Sequence, residues 1–213
     1  MHKIINPAIL YFGTPVVLIS TENEDGSANL APMSSAWWIG QRCVLGLSKV
    51  SKTTQNMLRT RQCVLNLPSV DQVAAIDRLA LTTGSNPVPE GKARRGYRHV
   101  KEKFELSGLT PLASDIVAPP RAAECPVHME ADLYAFHELA ENDPRWGGRN
   151  VILETRVMRV HCEDDLLLAG HENRVDPDRW RPLIMSFQQF YGLAPERVHG
   201  SHLSSIAEEL YRA

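Results

Sequence analysis

Short hydrophobic runs separated by turn-forming residues dominate the first 68 positions of the chain. Residues 16–20 form a β-branched run followed by an Asp-Gly pair at 25–26, which is typical of a strand that enters a hairpin. Residues 27–39 then follow as the return strand, and the apolar runs at 44–48 and 63–67 predict two further strands. This part of the chain is therefore predicted to be mostly β.

Helical patterning is confined to three shorter stretches. Residues 51–60 begin with polar residues and carry apolar ones later, as a short helix does. Ser69 is a favourable N-cap, and apolar residues recur after it at helical spacing, which predicts a second helix. Residues 201–212 predict a C-terminal helix whose apolar face is formed by Leu203, Ile206, Ala207 and Leu210.

The middle of the chain changes character twice. From about residue 82 to 107 it is rich in Gly, Pro and basic residues, with Lys92 to Lys103 the most basic part. A solvated surface loop is favoured over a flap that contacts a ligand. Two long strands are predicted at about 124–140 and 151–162, with turn-forming residues between them. Strands outnumber helices and adjoin in sequence, so we expect one domain over residues 1–213, an antiparallel β-barrel with attached helices.

Composition narrows the classes of protein. The formal net charge of −2 gives no electrostatic reason to expect nucleic-acid binding. The N-terminus lacks the apolar run of a signal peptide, and no stretch approaches the roughly 20 apolar residues of a membrane span. The four cysteines are far apart and form no Cys-x-x-Cys pair, so we expect buried thiols in a cytoplasmic protein.

Several common catalytic and nucleotide-binding motifs are missing from the sequence. None of the 13 glycines forms a Gly-x-Gly pair, and there is no Walker loop, His-Glu-x-x-His or Gly-x-Ser-x-Gly. His199 and His202 are three residues apart but have no third ligand nearby, so no metal site is predicted. These observations argue against most hydrolases, kinases and Rossmann dehydrogenases.

One candidate for ligand binding is the start of the predicted helix at residues 51–60. Ser51 is a plausible N-cap, and Lys52 lies in the first turn, where the helix dipole disfavours a cation. A bound phosphate would reverse that penalty by meeting Lys52, the hydroxyls of Thr53 and Thr54, and free backbone N–H groups. The alternative is a solvent-facing first turn, and the segment alone does not decide between the two.

A second candidate is residues 29–38. Pro32 removes a ladder donor, and the small residues after it would let a flat ligand approach the main chain. Trp37 or Trp38 could pack on an aromatic ring system. Taken alone, both tryptophans are more simply explained as core or dimer-interface residues.

Together these segments resemble a known family. FGTPVVLIST at 12–21, the Asp-Gly pair at 25–26 and NLAPMSSAW at 29–37 resemble the opening of flavin reductase-like proteins. SKTTQN at 51–56 and CVLNLP at 63–68 resemble the next segment of that family, in the same order. GLTP at 108–111 and ECPV at 124–127 extend the resemblance, whereas residues 182–191 lack the Arg and Gly-Gly pair that relatives often carry there.

The resemblance implies a split β-barrel homodimer that binds FMN, as in flavoredoxins and NAD(P)H:flavin oxidoreductases. It implies hydride transfer from NADH or NADPH to the flavin and then electron transfer to a small-molecule or protein acceptor. No catalytic acid or base is required for the hydride step, because the flavin performs the chemistry. The implied cofactor-binding residues are Asn29, Pro32, Met33, Ser34, Ser35, Ala36 and Trp37 along the ring and ribityl chain, and Ser51, Lys52, Thr53, Thr54 and Asn56 around the phosphate.

Two other functions stay open at this point. The chain could be an electron-carrying flavoprotein that binds FMN but lacks its own nicotinamide nucleotide reductase activity. It could also be a non-enzymatic barrel that binds another cofactor, such as haem, or none.

Overall fold

The computed structural model describes residues 1–211, most of which belong to strands and the turns between them. The strands are β1 (Phe12–Pro15), β2 (Val17–Glu22), β3 (Ala28–Met33), β4 (Ala36–Ile39), β5 (Arg42–Ser48), β6 (Gln62–Leu67), β7 (Thr82–Thr83), β8 (Arg98–His99), β9 (Pro111–Leu112), β10 (Arg121–Ala122), β11 (Val127–Glu138), β12 (Asn150–Cys162), β13 (Ile184–Ser186) and β14 (Gln189–Tyr191). The α-helices are α1 (Lys52–Thr60), α2 (Val73–Arg78), α3 (Glu90–Ala93) and α4 (Lys103–Ser107). No helix within residues 1–211 is both long and apolar enough to cross a membrane.

Seven strands form one antiparallel sheet in the order β3-β2-β6-β11-β12-β5-β4. The strands β3 and β4 are neighbours in the chain but lie at opposite edges of this sheet. Only Ser34 and Ser35 separate them, and two residues can span little more than about 10 Å. The sheet therefore curls until its edges approach each other, and the backbone N–H of Gly46 on β5 donates to the carbonyl of Ser35 at 2.8 Å.

This break corrects the predicted single return strand at 27–39. The ladder between β2 and β3 ends where Val17 pairs with Met33. The residue before it, Val16, donates its N–H to the carbonyl of Leu183 instead. With no further partner on β2, the chain leaves β3 and reaches β5 from the other side.

The two faces of β2 support two different cores, which explains why this strand is apolar without alternation. Val17 and Ile19 belong to a cluster inside the curled sheet, and Leu18 belongs to a second cluster under the helices. In that second cluster Ile76 of α2 and Phe104 of α4 pack on the outer side of the sheet. Each fully buried aliphatic side chain of this kind contributes about 1.5–3 kcal/mol to folding.

Most of the predicted elements are confirmed, and the fold is mainly β and antiparallel as expected. Ser51 caps α1 by accepting from the N–H of Thr54 at 3.2 Å. Ser69 is also an N-cap, but it begins a 3-10 turn (Val70–Gln72) that leads into α2. The predicted C-terminal helix is different: two exposed 3-10 turns, His202–Ser205 and Glu208–Tyr211, replace it, and Arg212 lies outside the described residues.

Candidate functional site

A cavity of about 680 Å³ opens between β3, the start of α1 and the chain from residue 76 to 103. This volume is in the range of small-molecule and cofactor sites. Five residues that the sequence singled out form the β3 side of the cavity: Asn29, Pro32, Met33, Ser34 and Ser35. Gly46 of β5 lines the same wall, and a Cβ added to it would lie 3.3 Å from the Cβ of Ser35. The wall is therefore built from small side chains at the point where the two sheet edges meet.

The start of α1 forms the next part of the wall through Ser51, Lys52 and Thr53. Buried Asn29 ties it to β3, because its side-chain amide donates to the hydroxyl of Thr53 at 3.2 Å. Lys52 already has an anionic partner, since its Nζ donates to both carboxylate oxygens of Glu24 at 3.1 and 3.2 Å. The unfavourable position of Lys52 at the helix start is thus offset within the chain by Glu24.

Four of the predicted cofactor-binding residues lie outside the cavity wall. Ala36 is a core residue, whereas Trp37 is 55% exposed at the edge strand β4. The hydroxyl of Thr54 is used to donate to the carbonyl of Ser48 at 2.8 Å. Asn56 is buried and donates to Thr21 and to Asn23 at 3.1 and 2.9 Å. The side-chain donors of the last two are therefore engaged within the protein.

The basic stretch after α2 is partly solvated and partly turned towards the cavity. Arg94, Arg98 and Lys101 are exposed, as a surface loop predicts, whereas residues 81–84, Lys92, Arg95, Tyr97 and Lys103 line the cavity. It folds against the site at Gly84, where an added Cβ would lie 2.4 Å from Oδ1 of Asn29 and 3.0 Å from Cγ of Lys52. Part of this segment therefore forms a wall of the cavity, and its contact with a ligand stays a prediction.

Two lysines of that segment are held by neighbouring threonines. Lys103 is 2% exposed, and its Nζ donates to the hydroxyl of Thr82 at 2.7 Å. Lys92 donates to the hydroxyl of Thr83 at 3.1 Å, and its Nζ lies 5.4 Å from the centre of the Tyr97 ring. Burial, together with the charges of Lys92 and Arg98, lowers the pKa of Lys103 to about 8.

The N-terminal and C-terminal segments complete the cavity. Tyr11 lines it, and its hydroxyl is 2.6 Å from Oγ of Ser35. Opposite β1, the hairpin β13–β14 turns through Phe187 and Gln188, both with positive φ, and contributes Gln188 and Phe190 to the wall. This hairpin occupies the region where the sequence departs from the family pattern.

A separate polar cluster surrounds the fully buried Glu130 of β11. Its carboxylate accepts from the backbone N–H groups of Asp115 and Ile116 at 2.9 and 2.7 Å, and lies 2.8 Å from Nε2 of His161. Burial alone would raise the pKa of Glu130, but these hydrogen bonds hold it below its usual value of 4.5. Asp115 is itself paired with Arg159 at 2.7 Å. The cluster therefore ties the loop at 113–118 to the sheet.

The charges on the cavity wall favour an anionic ligand. Lys52, Lys92, Arg95 and Lys103 line the cavity, against Asp77 as the acidic group among the described lining residues. Because the cavity is lined both by small side chains and by cations, it suits a flat polar ring joined to a phosphate. No local sequence pattern marks Tyr11, Tyr97 or the hairpin residues, because they lie far from β3 along the chain. The run of basic residues is the one sequence sign of the lysines that line the cavity.

The model of the flavin reductase like domain matches residues 9–194. The uncharacterized protein YdfE of Bacillus subtilis (strain 168) is 37% identical over 194 residues, which are 91% of this chain and 90% of YdfE.

Solved structures show the same fold. Flavoredoxin of Desulfovibrio vulgaris (Miyazaki F) superposes with a TM-score of 0.75 at 19% identity, over 97% of this chain and 100% of that one. A putative flavin reductase with a split barrel domain from Shewanella frigidimarina NCIMB 400 gives a TM-score of 0.68 at 15% identity, over 89% and 86% of the two chains. The predicted antiparallel split barrel is thereby confirmed.

Proposed function

The chain belongs to the flavin reductase-like family, and from that premise we propose that it binds FMN in the cavity and acts as an oxidoreductase. The reaction we propose is reduction of the flavin by NADH or NADPH, followed by transfer of electrons to a small-molecule or protein acceptor. The observation that carries the proposal is the cavity itself, which is lined by small side chains at the β3–β4 turn and by lysines.

The small residues at the meeting point of the sheet edges suit the ring of FMN. Ser34, Ser35 and Gly46 leave room for a flat system to approach the main chain. Pro32 has no N–H to donate, and the hydroxyls of Tyr11 and Ser35, 2.6 Å apart, form a polar edge beside this wall. When bound, FMN would supply the hydride-accepting chemistry, and these residues would orient it and exclude water.

The start of α1 offers a position for the phosphate. Ser51, Lys52 and Thr53 bring the first turn of α1 to this wall, where the helix dipole favours negative charge. Gly84 lets the chain after α2 close against the same turn without a side chain in the way. The phosphate would therefore meet groups from two segments that the fold brings together.

A homodimer is the assembly we propose. Trp37 and Ile39 of the edge strand β4 are 55% and 68% exposed, and Tyr134 and Phe136 of β11 are 57% and 48% exposed. Large exposed apolar side chains on strands are candidates for a protein interface. All four cysteines are free thiols, which is consistent with the cytoplasmic location that we also propose.

The experiment that tests the function is the visible absorption spectrum of the purified protein. It is recorded alone, after addition of FMN, FAD or riboflavin, and after anaerobic addition of NADH or NADPH. We expect flavin absorption that is retained on gel filtration and bleaches with one of the nicotinamide nucleotides.

Two other outcomes separate the alternatives. Protein that holds flavin but is indifferent to both nucleotides would be an electron-carrying flavoprotein, with reduction by another protein. A colourless protein that takes up none of the three flavins would refute both flavin functions.

A further inference from the structure

Lys103 is an unusual residue to find buried, because an ammonium ion loses its hydration there. It is 2% exposed, and its hydrogen bond within residues 1–211 is to the neutral hydroxyl of Thr82, at 2.7 Å. That hydroxyl donates in turn to the carbonyl of Leu79 at 2.7 Å. No carboxylate in the described part of the chain forms an ion pair with Lys103. A buried charge without a counter-ion is costly, so the site is built for something that supplies one.

Lys92 makes the same kind of contact with Thr83, the residue that follows Thr82 in β7. Its half-buried ammonium donates to the hydroxyl of Thr83 at 3.1 Å, again without an ion pair among the described residues. Burial lowers the pKa of Lys92, and the nearby guanidinium of Arg95 lowers it further. Two ammonium groups thus donate to adjacent threonines on one wall of the cavity. Nearby cations destabilise the charged form of both.

Lys52 differs from these two lysines, although it lines the same cavity. It is paired with both carboxylate oxygens of Glu24, so its charge is neutralised within the chain. Other acids near this region are also engaged or exposed: Asp25 pairs with Lys101 at 2.6 Å, and Asp77 is exposed at the cavity rim. The uncompensated positive charge of the cavity is therefore carried by the buried Lys103 and half-buried Lys92, together with the exposed guanidinium of Arg95 beside Lys92.

We propose that Lys103 and Lys92, held by Thr82 and Thr83, are the principal phosphate-binding groups of this cavity, ahead of Lys52. The inference rests on the proposed function and names the groups that recognise its ligand. A phosphate monoester, or the pyrophosphate bridge of a dinucleotide as a whole, carries close to two negative charges at neutral pH and several acceptor oxygens, which matches two adjacent ammonium donors. Two sources share this chemistry: the phosphate of FMN, and a phosphate of NADH or NADPH.

The experiment compares wild type with Lys103→Met, Lys92→Met and the matched control Lys52→Met, each of which removes one ammonium and keeps a chain of similar length. Dissociation constants are measured for FMN and for riboflavin, which lacks the phosphate. Michaelis constants are measured for NADH and NADPH, and inorganic pyrophosphate binding is measured by calorimetry.

If the flavin phosphate binds here, the preference for FMN over riboflavin falls about tenfold or more in Lys103→Met and in Lys92→Met, and less than about threefold in Lys52→Met. If the phosphate of the nicotinamide nucleotide binds here, the FMN preference is kept, and the Michaelis constants rise about tenfold or more in the same two variants.

Unchanged FMN preference together with unchanged Michaelis constants in both Lys103→Met and Lys92→Met would overturn the inference. Half-buried Lys92 keeps the test decisive if Lys103→Met does not fold. A wild type that binds no flavin would refute the proposed function instead. In that case loss of pyrophosphate binding in Lys103→Met would still support a phosphate position, and equal pyrophosphate binding in wild type and Lys103→Met would overturn it.

Discussion

Glu24 neutralises Lys52 at the mouth of the cavity, with Nζ of Lys52 donating to its two carboxylate oxygens at 3.1 and 3.2 Å. The side chain of Glu24 is 61% exposed, whereas that of Lys52 is 18% exposed. The pair therefore has its anion towards the solvent and its cation towards the cavity. In this arrangement Glu24 would compete with the phosphate of the proposed ligand for the same ammonium.

Replacing Glu24 with Gln should tighten FMN binding. The change frees Lys52 for the ligand, and because the pair is partly exposed, the gain should be limited to about 0.2–1 kcal/mol, or up to about fivefold in the dissociation constant. Glu141→Gln makes the same charge change on the exposed loop between β11 and β12 and should leave the constant unaltered. Weaker binding in Glu24→Gln would show that Glu24 orients Lys52 and does not compete for it. Flavin fluorescence titration measures both variants.

Gly84→Ala should separate the chain after α2 from the start of α1, the two segments proposed to meet the phosphate. The new methyl group would lie 2.4 Å from Oδ1 of Asn29 and 3.0 Å from Cγ of Lys52, so the chain after α2 must move away. We expect FMN affinity to fall about tenfold or more while the protein stays folded by circular dichroism. Gly91→Ala is the control in the same segment, since nothing lies within 4 Å of its added Cβ. Equal affinity in the two variants would contradict this view of Gly84.

Glu130→Gln should destabilise the protein in a pH-dependent way. The carboxylate accepts from two backbone N–H groups, which an amide can satisfy only in part, so we expect a loss of about 1.5–3 kcal/mol at neutral pH. Because the folded-state pKa of Glu130 lies below 4.5, this stabilisation is present above pH 4.5 and is lost as pH falls through the lower folded value.

Urea unfolding of wild type and Glu130→Gln at several pH values measures that difference. It should shrink as the pH falls below 4.5. The control is Glu154→Gln, which removes a partly exposed pair with Arg42 at 3.6 Å and should cost at most about 1 kcal/mol. A constant difference between wild type and Glu130→Gln across the whole range would contradict the ionised state of Glu130.

Because Lys103 titrates, the free energy of unfolding of the cofactor-free protein should increase as the pH rises. The pKa of Lys103 is about 8 in the folded protein and 10.5 ordinarily. Between these values the unfolded chain holds the proton and the folded chain does not, so raising the pH favours folding by up to about 1.4 kcal/mol per pH unit. Below pH 8 both states are protonated and the full cost of burial applies.

The matched variant is Lys103→Met, which removes the titrating group. Its free energy of unfolding should exceed that of wild type at pH 7 and should lack this rise between pH 8 and 10.5. Parallel pH profiles of the two cofactor-free proteins would show that Lys103 does not titrate in that range. Chemical denaturation at fixed ionic strength provides the measurement.

Trp37→Glu tests the proposed dimer. Placing a charge on the edge strand β4, which we propose lies in the interface, should shift the mass in light scattering from that of a dimer to that of a monomer. Trp146→Glu is the control, because Trp146 is 58% exposed, close to the 55% of Trp37, but lies on the loop between β11 and β12. A wild type that is monomeric at micromolar concentration would refute the dimer itself.

Local sequence patterns were sufficient wherever the structure depends on neighbours in the chain. The strands β2, β6 and β12 and the capped start of α1 lie where the hydrophobic runs and Ser51 predicted them. The prediction of a C-terminal helix was wrong because its apolar residues have little to pack against: Leu203 and Leu210 are 66% and 76% exposed. An amphipathic pattern alone does not stabilise so short a helix.

Long-range contacts decided what the sequence could not predict. The division of residues 27–39 into two strands depends on Val16, which bonds to Leu183 far along the chain. The inward position of Lys103 depends on Thr82, and the close approach of Gly84 depends on Asn29. The exposure of Trp37 could not be predicted either, because a tryptophan next to a predicted binding segment can face the cavity or the solvent.

The turn at Ser34 and Ser35 joins the two edge strands of the barrel, and the same turn lines the cavity. A ligand lodged there touches both edges of the sheet at once, and those edges are adjacent only after folding. It therefore binds the native state alone, and at a hundredfold excess over its dissociation constant it adds about 2.7 kcal/mol to stability. Cellular turnover of this protein should accordingly follow cofactor supply, with the cofactor-free chain degraded first by proteases that act on opened barrels.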